Sequence, residues 1–464
     1  MAVDKNKWRM GNLNICSLNE NARFGPKRQE YLIPFKALLC CLNVFVSILG
    51  MTFSALPLLA FISFLFLAAD PSPAQEKMHW FKGNTHTHSL WSDGNDFPEM
   101  IAKFYKDNSY HFLVLSDHNI LSRGEKWMNV GAIEKRRRTL GVATLKKYIS
   151  TFGQDWVEVR GEDKKQEVRL KTLKEIRPKF ERGGDFIFIE GEEITNSFGG
   201  SPVHTNGMNL KELIVPKKGT SLRDTMRNNI IAVREQSLRY KKPMLSHLNH
   251  PNFGWSITAK DLAHVLEEKF FEVYNGHPGI NHLGDAKRPG DEKIWDIANT
   301  IRLATLKSDP LFGISSDDSH NYHGGDVKPG RGWVMVQASS LEEDSIVKSM
   351  DSGNFYGSSG VHFKNLLRDQ KKGTLEFEIE AGAGAEYVTK IIGTRKGNEN
   401  KPDLVGETLA TIKGTKVNYK LMDNEWYFRA TVTSSTNHPL PSFSGQKEQA
   451  WTQPIWDSSA IRKK

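Results

Sequence analysis

Cysteine is nearly absent from the 464-residue chain: the three that it has, Cys16, Cys40 and Cys41, all lie near the N-terminus. No disulfide framework, thiolate metal site or cysteine nucleophile is therefore available in the rest of the sequence. A strong excess of one charge is also lacking, because 63 basic residues are matched by 54 acidic ones, too evenly to indicate a nucleic-acid-binding surface. With 38% hydrophobic and 25% charged residues, the composition excludes collagenous, disordered and polytopic membrane chains.

Charged residues are missing from residues 37–69, an apolar run long enough to span a bilayer. Its most uniform part has the length of a signal-peptide core, and Ser72 and Ala74 are small residues suited to a cleavage site. Basic residues precede the run, which predicts that the N-terminus stays in the cytoplasm. We expect a basic N-region at residues 1–36 and a signal peptide or uncleaved membrane anchor at residues 37–74, with the remainder exported to the periplasm or secreted.

Histidine is concentrated where cysteine is missing: 13 of the 15 histidines lie between His79 and His323. Through this region short apolar runs repeatedly lead into His, Asp, Glu or Asn. The runs and their polar residues are 78–83 with His86, His88 and Asp93; 111–115 with Asp117 and His118; 186–195 with Glu190, Glu192 and Glu193; 202–210 with His204; 243–252 with His247 and His250; 271–278 with Glu272, Asn275 and His277; and 311–320 with Asp317, Asp318 and His320.

Continuous apolar runs of this kind are typical of parallel strands that are buried on both faces. Helical patterns lie between several of them, as at residues 97–108 and 221–240, and this β/α alternation predicts a barrel or a doubly wound sheet. In a β/α barrel the polar residues at the carboxyl ends of successive strands form the active site. The region therefore predicts an enzyme-like site built from strand ends.

The polar residues at these strand ends are suited to metal binding. His86 and His88 are two positions apart, so on a strand their rings point to the same face. Imidazole and carboxylate ligands without thiolate fit Zn, Mn or Fe in sites that stay open for catalysis. Carboxylates can also bridge two ions, and a pair of ions about 3.5–4 Å apart is the clamp used in phosphoester and related hydrolysis.

Five motifs give the sequence a family resemblance: HTHSLWSDG at 86–94, SDHN at 116–119, GEEIT at 191–195, NHP at 249–251 and DSH at 318–320. In order and spacing, residues 78–360 resemble the polymerase-and-histidinol-phosphatase (PHP) superfamily of metal-dependent hydrolases. The SDHN region and the C-terminal part are similar to the branch that includes aryl-carbamate hydrolases. The resemblance implies an α/β fold: a distorted (β/α)7 barrel of parallel strands at residues 75–361, followed by a C-terminal β-sandwich at residues 362–464.

The resemblance also implies two to three divalent transition-metal ions, Zn, Mn or Fe. The implied ligand sets are His86, His88, Glu193 and Asp318 for the first ion; Glu193, His204 and His250 for the second; and Asp93, His118 and His320 for the third. Asp93 stands where many relatives have histidine. Glu193 is favoured over Glu192 as the bridging ligand, and Glu193, His118 and His320 are the implied catalytic residues.

Other residues are expected to support this site or to contact substrate. Asp117 would orient His118 through its free ring nitrogen, and Glu272 and Asn275 would lie behind the ligands or touch substrate. Arg123, Lys126 and Arg288 are candidates for binding an anionic substrate. A neutral substrate would need an apolar wall, for which the candidates are Trp91, Trp127, Phe253 and Trp255. The histidines interpreted instead as hydrogen-bonded structural residues are His111, His247, His264, His277 and His282.

A charged insert at about residues 123–185 separates two of the motifs. Its apolar spacing predicts a helix over residues 168–180, and the insert is either a solvated decoration or a lid beside the active site. Short alternating strands after residue 362 predict the β-sandwich. Its role would be to cover the barrel edge or mediate association, or else to bind a sugar or a surface.

These observations predict an exported metal-dependent hydrolase that acts on a phosphoester of a small-molecule substrate. A carboxylic ester, amide or carbamate hydrolase on the same centre is the first alternative, and a non-catalytic binding module stabilised by metal is the second. No nucleic-acid partner is expected, because the charge is nearly balanced and the chain carries an export segment. Contact with a membrane is expected only through the N-terminal segment, if it is not cleaved.

Overall fold

The computed structural model describes residues 77–136 and 143–461. The predicted basic N-region and the signal peptide or anchor lie outside the described residues, so export stays a prediction. Among the residues that are described, no helix combines the length and the apolar character needed to cross a membrane.

The secondary structure is a mixture of strands and helices, as the sequence predicts. The strands are β1 (His79–Asn84), β2 (Phe112–Leu115), β3 (Lys126–Asn129), β4 (Val159–Arg160), β5 (Glu167–Leu170), β6 (Ile187–Phe198), β7 (Ser201–Met208), β8 (Leu245–Leu248), β9 (Phe270–Asn275), β10 (Phe312–Ser316), β11 (Trp333–Ala338), β12 (Phe355–Ser358), β13 (Phe363–Asp369), β14 (Thr374–Ile379), β15 (Tyr387–Arg395), β16 (Glu407–Lys413), β17 (Lys416–Lys420), β18 (Glu425–Asn437), β19 (Lys447–Thr452) and β20 (Ile455–Trp456). The α-helices are α1 (Pro98–Asp107), α2 (Val130–Glu134), α3 (Thr144–Phe152), α4 (Leu173–Phe180), α5 (Leu222–Tyr240), α6 (Ala259–His264), α7 (Asp291–Thr300) and α8 (Glu343–Asp351).

Most strands join one 14-stranded sheet with the order β10-β9-β8-β7-β6-β2-β1-β11-β12-β19-β18-β15-β16, to which β20 is added beside β18. Strands β1, β2 and β6 pair in parallel, and so do β8, β9 and β10. Strand β7 runs antiparallel between these two groups. The expectation of seven parallel strands is therefore wrong at β7. The physical reason is the tight turn at Gly199 and Gly200, both at positive φ, which returns the chain as a hairpin.

The sheet does not close into the predicted barrel, because the hydrogen-bonded path through the described strands has two ends. The free edge of β1, which closure would require, is taken by the antiparallel strand β11. Strand β10 instead approaches β12 through a side chain, since the Ser315 hydroxyl donates to the Ser358 carbonyl at 2.8 Å. The carboxyl ends of β1, β2, β6, β8, β9 and β10 still lie along one edge of the sheet.

The C-terminal strands pack as two layers. A separate three-stranded sheet, β13-β14-β17, faces the part of the large sheet that contains β15, β16 and β18. Buried Leu375 and Phe377 from the small sheet share a core with Ile391, Phe428 and Val432 from the large one. This strand-rich region agrees with a sandwich, but its larger layer continues into the sheet that holds the predicted site.

The insert contains its own small sheet, β3-β5-β4, and differs from the predicted single helix over residues 168–180. The chain forms strand β5 first and then helix α4. Thr172 separates them because its hydroxyl accepts from the backbone N–H of Glu175, whose carboxylate accepts in return from the N–H of Thr172. This capping box starts the helix after Thr172, and the apolar spacing that predicted one helix belongs to two elements.

Glu268, two residues before β9, should make the stability of the protein depend on pH. The side chain is 1% exposed; Oε1 accepts from the N–H groups of Lys269 and Phe270, and Oε2 has no hydrogen-bond partner among the described residues. Burial raises the pKa of Glu268 to about 8. Above the pKa of the unfolded chain, near 4.5, only the unfolded state loses its proton, so the stability contributed by this group falls as pH rises towards 8.

We expect Glu268→Gln, which mimics the protonated acid, to remove this pH dependence. The free energy of unfolding of the variant minus that of the wild type should increase from pH 5 to pH 8. The increase should be about 1.4 kcal/mol per pH unit and up to about 4 kcal/mol in all. Urea unfolding at the two pH values measures the difference. Glu267→Gln is the matched control, because Glu267 is 28% exposed and paired with Arg227; an equal gain there would contradict the account.

Candidate metal centre

All nine predicted ligands lie together at the carboxyl-terminal edge of the parallel strands. Each potential metal-binding group brings one ligand atom per residue within 4.8 Å of the others. The groups are His86, His88 and Glu193; His86, His250 and Asp318; His118, Glu193 and His204; and His88, Asp93, His118 and His320. The structure therefore brings together residues that are up to 234 positions apart in the sequence.

The most deeply buried part of the centre joins the two strand-end histidines to two carboxylates. The Nε2 atoms of His86 and His88 lie 3.2 and 3.1 Å from Oδ1 of Asp318, and each lies 3.4 Å from an oxygen of Glu193. Both Nε2 atoms are buried without a hydrogen-bond partner among the described residues. Because an unpartnered buried polar atom is costly, these nitrogens fit a metal ion that would complete their coordination.

Glu193 lies at the middle of the centre. Its Oε1 is 2.9 Å from Nδ1 of His204 and 3.4 Å from Nε2 of His250, and its Oε2 is 2.8 Å from Nδ1 of His118. This position agrees with a bridging carboxylate and with the choice of Glu193 over Glu192, whose Oε1 instead accepts from the N–H of Ile214. His118, assigned to the third ion by the resemblance, also approaches the second set through Glu193.

The third group is the part of the centre most open to solvent. Oδ1 of Asp93 lies 3.4 Å from Nε2 of His320, and Oδ2 lies 3.7 Å from Nε2 of His118. The Asp93 side chain is 57% exposed, whereas the ring of His320 stacks on buried His88 with centroids 4.0 Å apart. Substrate would therefore approach from the Asp93 side.

Three residues at these strand ends adopt positive φ. His250 and Asp318 adopt φ angles of 22° and 48°, and Asn119, next to His118, adopts 51°. Positive φ is costly for residues other than glycine and persists where the surrounding structure holds a functional geometry. The strain agrees with a functional role for these strand ends.

Glu272 and Asn275 lie behind the predicted ligands and contact them. Oε1 of Glu272 contacts Nδ1 of His86 at 2.8 Å, and Oε2 accepts from the N–H of His250 and from Nδ2 of Asn275. The Asn275 amide also reaches Oδ2 of Asp318 at 3.1 Å. A carboxylate on Nδ1 fixes the proton there and leaves Nε2 of His86 as the ligand atom.

Asp117 does not orient His118 as predicted. Its carboxylate accepts hydrogen bonds from the backbone and hydroxyl groups of Ser89 and Ser92, at 2.6–2.9 Å. It therefore shapes the turn between His88 and Asp93. The ring of His118 is held by the hydroxyl of Thr195, 2.5 Å from Nδ1.

Sequence reasoning assigned no role to two supporting residues. Asn249 donates from Nδ2 to Oε1 of Glu193 at 2.8 Å and to Asn206 at 2.9 Å, and Thr195 holds His118. Both were inside quoted motifs, NHP and GEEIT, so position within a motif was the signal that could have identified them.

The charged groups of the centre perturb one another. Burial lowers the pKa of His86, His118, His250 and His320, but nearby carboxylates outweigh it and raise the pKa of each above its ordinary value. Burial opposes ionisation of Glu193, but the nearby His118 and His204 outweigh it and hold its pKa well below the usual range. Burial, together with the nearby His320 and His118, lowers the pKa of His88 to about 4. Glu193 is therefore a carboxylate and His88 a neutral imidazole at neutral pH, the states required of ligands, whereas the histidines with a raised pKa would lose a proton when a metal ion binds.

The cations predicted to bind an anionic substrate point elsewhere. Arg123 makes a two-point ion pair with Glu190, at 2.7 and 2.5 Å. Lys126 donates to the backbone carbonyl of Trp91. Arg288 lies 4.4 Å from the ring centroid of Trp255 and pairs with Asp285. Within the described part of the chain, none of the three contacts any of the nine predicted ligands.

Only one of the four aromatic candidates touches the predicted ligands. The ring centroid of Phe253 is 5.2 Å from that of His250 and 6.1 Å from that of His204, with the residue 36% exposed. Trp91 is buried in the core of the insert, and Trp127 packs against Arg160. Phe253 is therefore the apolar surface beside the second ligand set.

The insert braces the segment that carries Asp93. The indole N–H of Trp91 donates to the Lys171 carbonyl at 3.2 Å, and Arg136 donates to the Gly94 carbonyl at 2.5 Å. Trp91 also packs in a cluster with insert residues such as Tyr148. The insert is therefore not an isolated surface element, because it borders the solvent-exposed side of the centre.

A cavity of about 520 Å³ adjoins the third group. Its lining residues are Asp93, His277, Pro278, Gly279, His320, Asn321, Asp326 and Val327. It thus offers room for part of a small molecule beside the ligands, and the described lining contains no lysine or arginine.

Comparison with known proteins gives distant structural likenesses. No family model and no curated protein matches the chain. A two-domain protein of Bacteroides vulgatus, described as containing a predicted PHP-like metal-dependent phosphoesterase, is 15% identical over 80% of this chain and 95% of its own, with a TM-score of 0.38. PsfC from Pseudomonas syringae is 12% identical over 59% of this chain and 88% of its own, with a TM-score of 0.29. An amidohydrolase from Chromobacterium violaceum is 13% identical over 52% of this chain and 87% of its own, with a TM-score of 0.25.

Proposed function

We propose that the protein is a metal-dependent hydrolase of ester-type bonds. The observation that carries the proposal is the pair of buried, unpartnered Nε2 atoms of His86 and His88, facing the carboxylates of Glu193 and Asp318. When bound, divalent ions would lower the pKa of a coordinated water to about 7 and stabilise charge that develops on the substrate.

The ligand sets would be those of the sequence analysis, sharing Glu193. Glu272 and Asn275 would keep the ligands oriented, and Asn249 would hold one oxygen of Glu193. Phe253 would exclude water from the side of His204 and His250. The protein's own contribution is thus a fixed set of ligands in a partly dry site.

An open third group favours an enzyme over a metal-stabilised binding module. Structural metal sites are closed by protein ligands, whereas catalytic sites keep a position open to water or substrate. Asp93 is 57% exposed and lines the adjoining cavity together with His320. A group whose only task was to stabilise the fold would not need this access.

The side chains favour a carboxylic ester, amide or carbamate as the substrate. A phosphate monoester is commonly gripped by fixed cations, since Arg binds phosphate oxygens through a two-point fork. Arg123 and Arg288 are paired with carboxylates elsewhere, and no lysine or arginine is among the described residues that line the cavity. The exposed face of Phe253 adds an apolar contact. A phosphoester stays the second candidate, because a multi-ion clamp suits the charge of a phosphoryl group.

A substrate panel tests the proposal. We expect metal-reconstituted protein to hydrolyse 4-nitrophenyl acetate or an aryl N-methylcarbamate with a higher kcat/KM than 4-nitrophenyl phosphate or bis(4-nitrophenyl) phosphate. Glu193→Gln protein, purified in parallel, controls for contaminating hydrolases. Faster turnover of either phosphate would reverse the choice of substrate class, and turnover of none by metal-loaded protein would contradict the hydrolase itself.

A further inference from the structure

His277 lies in a position that its interpretation as a structural histidine does not explain. It lines the cavity beside the third group, and its ring meets that of His320 nearly edge-on, with centroids 5.7 Å apart at 85°. Sequence reasoning interpreted it, together with His111, His247, His264 and His282, as a hydrogen-bonded structural histidine. The rings of His111, His264 and His282 form hydrogen bonds, and the described lining of this cavity includes none of the three. Its place at the open side of the centre indicates a different task.

The loop that carries His277 is tied to the metal centre. The backbone N–H of His277 donates to Oδ1 of Asn275 at 2.8 Å. The amide of Asn275 in turn contacts Glu272 and Asp318. The ring of His277 is therefore held at a fixed place relative to the predicted ligands, although it is not one of them.

The hydrogen bonds of His277 settle which ring nitrogen carries the proton. Nδ1 accepts from the backbone N–H of Gly279 at 2.8 Å, so in the neutral ring the hydrogen is on Nε2. Among the described residues Nε2 forms no hydrogen bond, which leaves one N–H donor in the wall of the cavity.

We propose that His277 is a substrate-contacting residue whose Nε2–H donates a hydrogen bond to the carbonyl oxygen of an ester, amide or carbamate seated beside Asp93 and His320. The inference rests on the proposed function and extends it to a residue outside the ligand sets. The cavity that would hold the substrate is lined by His277 together with the predicted ligands Asp93 and His320.

The donor acts where charge develops. As water adds to the carbonyl carbon, the carbonyl oxygen becomes an oxyanion, and a fixed N–H donor binds it more strongly than the uncharged carbonyl. No proton leaves His277: the carbon–heteroatom bond breaks and the leaving group takes a proton that comes from the attacking water. A neutral imidazole in this role polarises the bond without becoming an acid.

Three variants test the inference. His277→Phe removes the donor and keeps an aromatic ring, and His277→Asn restores an N–H donor on a shorter side chain. His264→Phe is the matched control, because the ring of His264 bonds only to the Lys260 carbonyl on helix α6. For each variant, kcat and KM on the best substrate of the panel are measured together with the metal content per chain.

For His277→Phe we expect kcat to fall about 100-fold, as when one oxyanion donor is removed, with the metal content unchanged and KM within about threefold of wild type. His277→Asn should recover part of the loss, and His264→Phe should behave as wild type. Metal-loaded His277→Phe with wild-type kcat would overturn the inference alone. Loss of metal in step with activity would also overturn it, by placing His277 in ion binding. Metal-loaded wild-type protein that hydrolyses nothing in the panel would instead contradict the proposed function, and this inference with it.

Discussion

Glu193→Gln should reduce kcat/KM by well over 100-fold, beyond the roughly 10–100-fold typical of residues behind metal ligands. One carboxylate oxygen lies 3.4 Å from Nε2 of His86, and the other lies 3.4 Å from Nε2 of His88 and 2.8 Å from Nδ1 of His118. The amide removes the negative charge and one of the two oxygens that would be shared between ions. Two ligand sets are therefore weakened by one substitution.

Asp117→Asn is the matched comparison for Glu193→Gln. Both changes replace a buried carboxylate by its amide, but Asp117 contacts Ser89 and Ser92 in the turn before Asp93. We expect Asp117→Asn to cost about 10–100-fold, with most of the metal retained. Steady-state kinetics and metal content of both variants measure the difference. An equal or larger loss for Asp117→Asn would show that Glu193 is not the bridging ligand.

Chelation should abolish activity in the wild-type protein, and Zn, Mn or Fe should restore it. The reason is that buried His86 and His88 have no hydrogen-bond partner on Nε2 among the described residues, so only an ion completes the site. Metal binding also requires neutral imidazoles, so acidic buffer should release the ions as well. The measurement is activity against metal content during stripping and reconstitution.

The control for the chelation experiment is a test of whether the stripped protein stays folded. Circular dichroism and thermal unfolding of the stripped protein should show retained secondary structure, because the large apolar clusters contain none of the nine predicted ligands. Recovery of activity on adding one of the three metals then separates loss of ions from unfolding. Full activity at less than about 0.1 ion per chain would contradict the account.

The ligands could be predicted from the sequence because each is part of a short strand-end motif. His86 and His88 share a face by the local geometry of a strand, and DSH at 318–320 follows an apolar run in the same way. The motifs do not predict which strands pair with each other, because strand pairing depends on residues that are far apart in the sequence. The sequence-based prediction therefore lacks two features: the antiparallel direction of β7 and the pairing of β11 with the edge of β1. For the same reason it does not include the open sheet.

The residues around the ligands were harder to predict, since their roles depend on partners far along the chain. Arg123 follows the SDHN motif closely but pairs with Glu190, 67 residues later. Asp117 is next to His118 in sequence, yet its carboxylate accepts a hydrogen bond from the hydroxyl of Ser89, 28 residues earlier. His277 shows no motif, and only the folded chain places it beside His320.

The central claim is that one centre holds several metal ions. The most direct measurement is inductively coupled plasma mass spectrometry of protein expressed and purified in metal-replete medium, expressed as ions per chain. We expect two to three divalent transition-metal ions in the wild type and about one fewer in Asp93→Ala, whose side chain belongs, among the groups of described residues, to the exposed third group alone. A wild-type value near zero would contradict the claim.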